Sequence, residues 1–423
     1  MPTTEFIGLA KDTSVGDGAP DMSFVNIPHP VAGISAQDLR AKADRLFPEL
    51  LSAATSWKPS NTTIPLQKSP YPAEVINFTG TVSDINNFFL SKGWALGVPI
   101  VPPTPERVVA MLKGTTRKPG EVLGQVLPRM GAVTVETVAT HAVMAGCKPE
   151  YMPALIATIE AMLTPEANWG AINTTTGTVG WLIVFNGPVV KDIGIAWSSG
   201  ASGKMHHANA SIGYAVNLIS AAVGGSTPPK SDKSSFGGPA DYVAWVLGEN
   251  ESKLPKDWEP LHVSRGFKKG DSVVTVYGAY PPVDLTDHWS MTAEDSFDAF
   301  SSLATPRIDS GGACRPEKAV NDYFVILGPE HAELAQKANM NKEQYRKAFW
   351  EKARQPISWY PKACVNMPKI EQFYGIKATP GTLLPITDKP ERINFMVGGG
   401  AGRHSLFFTP FWGTNAASKK IDN

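Results

Sequence analysis

The stretch Gly180-Trp181-Leu182-Ile183-Val184-Phe185-Asn186-Gly187-Pro188 decides the fold class. Trp181 to Phe185 is an unbroken apolar run, rich in β-branched and aromatic residues, and it is too short for a helix. Asn-Gly-Pro ends it sharply, as expected of a strand buried on both faces. A strand of that kind needs helices to cover it. The flanks supply them: a helix from Pro153 through Leu163 before it, and a helix from Ala208 to Val223 after it. The second is apolar at Ile212, Ala215, Val216, Ile219 and Val223 and is stopped by Gly224-Gly225.

Further outward the same alternation continues. Thr134 to Ala145 reads as a helix ended by Gly146, and Pro149 to Met152 as a turn before the next one. Thr104, Pro105 and Gly114 punctuate another helix. Val273 to Tyr277, Tyr323 to Leu327 and Ile393 to Val397 read as strands, with helices at 292–303 and 342–354 between them. Strands alternating with helices predict an α/β fold with mixed sheets and flanking helices. The expected divisions are an N-terminal arm and helix (1–80), a first α/β domain (81–225), an irregular connection or long functional loop (226–270) and a second α/β domain (271–423). Ser35 and Asp38 have the spacing that opens the helix in the arm.

Composition narrows the function class. The 39 Lys+Arg balance 39 Asp+Glu, which argues against nucleic acid or an anionic membrane as partner. No apolar stretch is long enough to span a bilayer, and the N-terminus has no secretory pattern. Three cysteines, Cys147, Cys314 and Cys364, are too few for a disulfide framework. The expectation is a reduced, cytoplasmic protein, a homo-oligomer acting on a small molecule without a cofactor.

Two short patterns recur. Ala145-Gly146-Cys147-Lys148-Pro149-Glu150 is echoed by Gly312-Ala313-Cys314-Arg315-Pro316-Glu317, and Asn186-Gly187-Pro188 by Gly328-Pro329. Two readings stay open: two related halves whose cysteine turns converge on one cleft, or coincidence between short common motifs.

The run Gly93-Trp94-Ala95-Leu96-Gly97-Val98-Pro99-Ile100-Val101-Pro102-Pro103-Thr104 resembles an uncharacterised, mostly bacterial family with the motif GW-x-D-G-L-P-V-x-P-P-T. The likeness continues through the A-G-C-[RK]-P-E-Y motif at Ala145 to Tyr151, then Asn186-Gly187-Pro188 and Ala208 to Gly213. Similar proteins are found beside thiol or selenol proteins with a U-G-S-C motif, a hint of sulfur chemistry. This chain has Leu96 where the family has Asp, and it carries His141 and a His206-His207 pair of its own.

Several residues are candidates for chemistry. Cys147 sits in a turn between helices, where free N–H groups and the helix dipole would acidify a thiol. His141 or His207 would serve as its base, and Cys314 shares its context, whereas Cys364 reads as structural. Buried, inert cysteine is the competing reading. Thr174, Thr175, Asn186 and Gly187 lie in loops at strand ends, where α/β proteins bind ligands, although turn chemistry also explains them. Gly399, Gly400 and Arg403 lie in a glycine run that reads as a backbone anion site, or as a close-packing turn. No metal-ligand spacing is present, so no metal is expected.

The expectation is a hydrolase or lyase acting on a small polar or carbonyl-containing metabolite, with a cysteine thiolate and a histidine at an inter-domain cleft. The alternatives are metal-assisted chemistry through His141, His206 and His207, or a non-enzymatic ligand-binding or thiol-redox protein that pairs Cys147 with Cys314.

Overall fold

A computed structural model describes residues 1–58, 70–304, 321–411 and 413–422. In chain order a hairpin, β1 (Val122–Val126) and β2 (Gly131–Thr134), precedes β3 (Gly180–Asn186), β4 (Trp245–Gly248), β5 (Val273–Ala279), β6 (Val283–Thr286) and β7 (Tyr323–Leu327). A short pair, β8 (Arg354–Pro356) and β9 (Leu383–Pro385), precedes β10 (Ile393–Val397), β11 (His404–Phe408) and β12 (Ala417–Lys420). Two four-stranded mixed sheets form the centre, in the orders β12-β5-β3-β4 and β10-β7-β11-β6. The α/β class with mixed sheets and flanking helices is as the sequence predicts.

The sheets pack face to face. Leu182, Val184, Leu247 and Tyr277 meet Phe324, Ile326, Met396 and Phe408 between them. The alternate residues Trp181, Ile183 and Phe185 turn outward to the helices Met152–Met162 and His207–Ala222, with Val135–Met144 packed behind these. On the other side Tyr323, Val325 and Leu327 meet Ala293–Ala304, Pro329–Lys337 and Lys342–Lys352. The result is four layers, helix–sheet–sheet–helix. Strands covered on both faces explain the uniformly apolar runs, since each fully buried side chain contributes about 1.5–3 kcal/mol.

Both sheets repeat one pattern of directions. β3 is parallel to β4 and antiparallel to β5, which is antiparallel to β12. β7 is parallel to β10 and antiparallel to β11, which is antiparallel to β6. Asn186-Gly187-Pro188 and Gly328-Pro329 therefore occupy matching ends of β3 and β7. The last strand of each set crosses over: β6 follows β5 but joins the second sheet, and β12 follows β11 but joins the first. The first sheet draws on residues 81–225, 226–270 and 271–423, and the second lies wholly within 271–423.

At the N-terminus, Ile7–Gly16 is helical where the sequence reads as aperiodic. Gly16 at its end lets it lie close to the segment at 129–130, where a Cβ would collide with Met130. Ser35 caps the helix Ala36–Ser56 as expected, its hydroxyl accepting the Asp38 N–H at 3.0 Å. Leu39, Phe47 and Leu51 on that helix stay exposed. Among the described residues no helix is long and apolar enough to cross a membrane.

Candidate functional site

The cysteine turn is built as the sequence suggests, but its chemistry is different. Cys147 follows Val135–Met144 and its N–H closes on Ala142 O at 2.8 Å. The thiol is buried, and burial pushes its pKa up to about 12, outweighing a hydrogen bond with Ser211 and its own turn. The acidified thiol expected from the helix ends is thus corrected: desolvation of the anion exceeds what those dipoles return. Lys148 does not help, since it is exposed and faces Glu150 at 3.9 Å.

His141 is buried and spends Nδ1 on Thr137 O, 2.8 Å away on its own helix. Burial holds it below the usual imidazole range, hence neutral. His207 comes nearer to Cys147, through shared partners. Its Nδ1 lies 3.3 Å from the Tyr151 hydroxyl, and Ser211 donates to its carbonyl oxygen at 2.7 Å. His206 stands at the N-cap of His207–Ala222 and makes no side-chain capping bond. Among the described residues no group of three or more His, Cys, Asp or Glu is arranged to hold a metal ion. Cys147 is a free thiol, and Cys314, its partner in the thiol-redox alternative, lies outside the described residues. Cys364 is disulfide-bonded, which corrects the expectation of a fully reduced set.

The expected loop residues are mostly committed to the fold. The Thr174 hydroxyl donates to Gly170 O at 2.8 Å, and the Thr175 hydroxyl accepts the Gly177 N–H at 2.9 Å. Asn186 faces inward, its Nδ2 donating to Glu249 Oε2 at 2.5 Å, and Gly187 donates its N–H to Glu251 at 2.8 Å. Glu249 also accepts the Leu261 N–H, and burial raises its pKa against the pull of Lys342.

The glycine run does form a backbone anion site, but the protein supplies the anion. Glu330 accepts the N–H groups of Gly402 and Arg403 at 2.7 and 2.6 Å, and these bonds lower its pKa. The Arg403 guanidinium donates to Ser290 O. Gly399 donates to Trp197 O at 3.0 Å, and a Cβ at Gly400 would collide with Ser199. The segment packs where a ligand was expected.

A cavity of about 900 Å³ opens elsewhere, against the outer side of the first sheet. Its walls are Gly93, Ala95, Leu96 and Gly97 from the Gly-Trp motif, Asn173 and Trp181, Asn217 and Ser220 from His207–Ala222, and the segment 226–242. Hydrogen bonds hold that segment in place. Asn217 donates to Ala240 O at 2.7 Å, Ser226 to Asn173 O at 2.9 Å, and the Ser235 N–H to Thr176 O at 3.1 Å. Gly180 at the start of β3 is needed for the approach, because a Cβ there would sit 2.4 Å from that of Ala240.

Two carboxylates line this cavity. Asp232 is half-buried on the wall and accepts the Ser234 N–H at 2.8 Å. Asp241 lies at the exposed rim and accepts the Gly238 N–H at 2.6 Å. Desolvation raises the pKa of both, and the charge of Asp232 raises Asp241 further. Trp181 is 1% exposed and its indole N–H has no hydrogen-bond partner. Leu96, at the position where the resembling sequences carry Asp, shares the lining. The candidate residues of the sequence come only as near as Asn173, one position before Thr174. The missed signal was within reach: two aspartates in a Ser/Gly-rich stretch of the long loop expected at 226–270.

A model of the UGSC family matches residues 1–56. That match supports kinship with a UGSC-related family over the N-terminal segment, and the cavity lies wholly outside it. The cysteines follow Gly146, Ala313 and Ala363, so none stands in a Gly-Ser-Cys sequence. No curated protein and no solved structure matches the chain.

Proposed function

We propose that the protein is an enzyme of small-molecule metabolism, a hydrolase or lyase, that holds a polar substrate in the Asp232/Asp241 cavity and acts on it by proton transfer. The observation that carries this reading is the carboxylate pair with raised proton affinity in a cavity of ligand size. When one carboxylate ionises, its charge makes the other hold its proton more firmly. Such a pair offers an acid and a base at one site. The thiolate route is the weaker alternative, because the Cys147 thiol is buried and holds its proton, although Tyr151, His207 and Ser211 do gather around it.

Native mass spectrometry of protein purified without added ligand tests the reading by naming what the cavity retains. The Asp232→Asn and Asp241→Asn variants should lose that ligand, and turnover of the compound so identified should fall about 100-fold. Full ligand retention and full turnover in both variants would sink the proposal.

A further inference from the structure

The chemistry of the cavity selects a class of ligand, an inference that rests on this cavity being the functional site. Among its lining residues the charged ones are Asp232 and Asp241, both acidic. The basic neighbours of the same segment are engaged elsewhere. Lys230 pairs with Asp12 at 3.0 Å, and Lys233 donates to Pro229 O at 2.7 Å with its ammonium 5.5 Å from the centre of the Phe6 ring. Arg129 lies against Gly225, outside the lining. The carboxylates receive backbone N–H bonds, but no lysine or arginine lies near enough to offset their charge. A phosphate or carboxylate ligand would meet an acidic pair and no compensating cation.

The aromatic lining points the same way. Phe236 and Tyr242, both exposed, line the cavity, and aromatic faces attract organic cations. Phe236 stands 93% exposed at its edge. A divalent metal ion fits less well, since no third His, Cys, Asp or Glu completes a ligand set among the described residues. We propose that the cavity takes a small organic cation, a protonated amine, guanidine or quaternary ammonium compound.

Calorimetric titration of the full chain with choline, with agmatine and with 3,3-dimethyl-1-butanol, the uncharged isostere of choline, tests this. At least one cation should bind about tenfold or more tightly than the isostere. The Asp232→Asn/Asp241→Asn double variant should lose about tenfold or more of that affinity. Binding of the isostere as tight as that of choline, or no binding of either cation at about 10 mM, overturns the inference. If the cavity instead retains an uncharged ligand that the aspartate variants release, the cation inference fails and the functional reading stands. If cations bind and the double variant keeps full affinity, both fail.

Discussion

The Glu330 turn and the Asp232/Asp241 cavity place acidic groups in opposite circumstances. Glu330 receives two backbone N–H groups from Gly402 and Arg403, and its pKa falls. Asp232 and Asp241 each receive one N–H from their own turn and are desolvated without a cation, and their pKa values rise. Where the fold completes its own electrostatics, the group serves structure. Where it leaves charge uncompensated beside open space, a ligand can complete it.

The largest test of that contrast is functional. Asp241→Asn and Asp232→Asn should cost turnover about 100-fold yet not destabilise the protein. Both aspartates hold protons more tightly in the folded state than in the unfolded chain. Their contribution is therefore fully present below the unfolded value of about 3.9 and is lost as pH rises through the raised folded values. At pH 7 each Asn variant should melt about 2 °C higher than the parent, and at pH 3.5 the difference should vanish. A lower melting point at pH 7 would make these aspartates structural.

Glu330→Ala should do the reverse. Removal of the internal anion leaves the Gly402 and Arg403 N–H groups without it and should cost about 1 kcal/mol in urea unfolding. Because the folded pKa of Glu330 is depressed, the loss should be complete above the unfolded value of about 4.3 and fade as pH falls through the folded one. Added phosphate should stabilise this variant more than the parent. Equal stabilisation of both would mean that the turn takes an external anion even with Glu330 in place.

Cys147 supplies the smallest expected effect. With a buried thiol whose pKa is pushed up to about 12, Cys147→Ser should change turnover less than about twofold. The thiol should react with a chromogenic disulfide only after unfolding. Rapid labelling of the native protein at pH 8, with loss of turnover, would move the chemistry back to the cysteine turn.

The same contrast shows why the site was less legible in the sequence than the fold. Apolar runs and their punctuation depend on nearest neighbours, so Trp181 to Phe185, the helix stop at Gly224 and the cap at Ser35 read directly. β4 escaped notice because Trp245-Val246-Leu247-Gly248 is short and embedded in a glycine- and proline-rich segment, where only pairing with β3 makes it a strand. Cys147 looked reactive because its sequence neighbours suggest dipoles and a cation. Its true surroundings come from His207–Ala222 and from the core beneath it.

By itself the sequence determined the α/β class, the helix–strand alternation and most of the turns, since local periodicity and capping encode these. It also held the recurrence of Gly-Pro at the ends of β3 and β7. The tertiary structure alone decided that the sheets stack face to face and exchange their last strands, because that depends on which apolar faces find each other across long separations. It also decided which acidic residues acquire partners. Glu330 gains its N–H donors from a turn more than seventy residues away, and Asp232 and Asp241 gain no cation because Lys230 and Lys233 turn outward toward Asp12 and Phe6. A residue type announces a charge, but only packing settles whether that charge is answered from within.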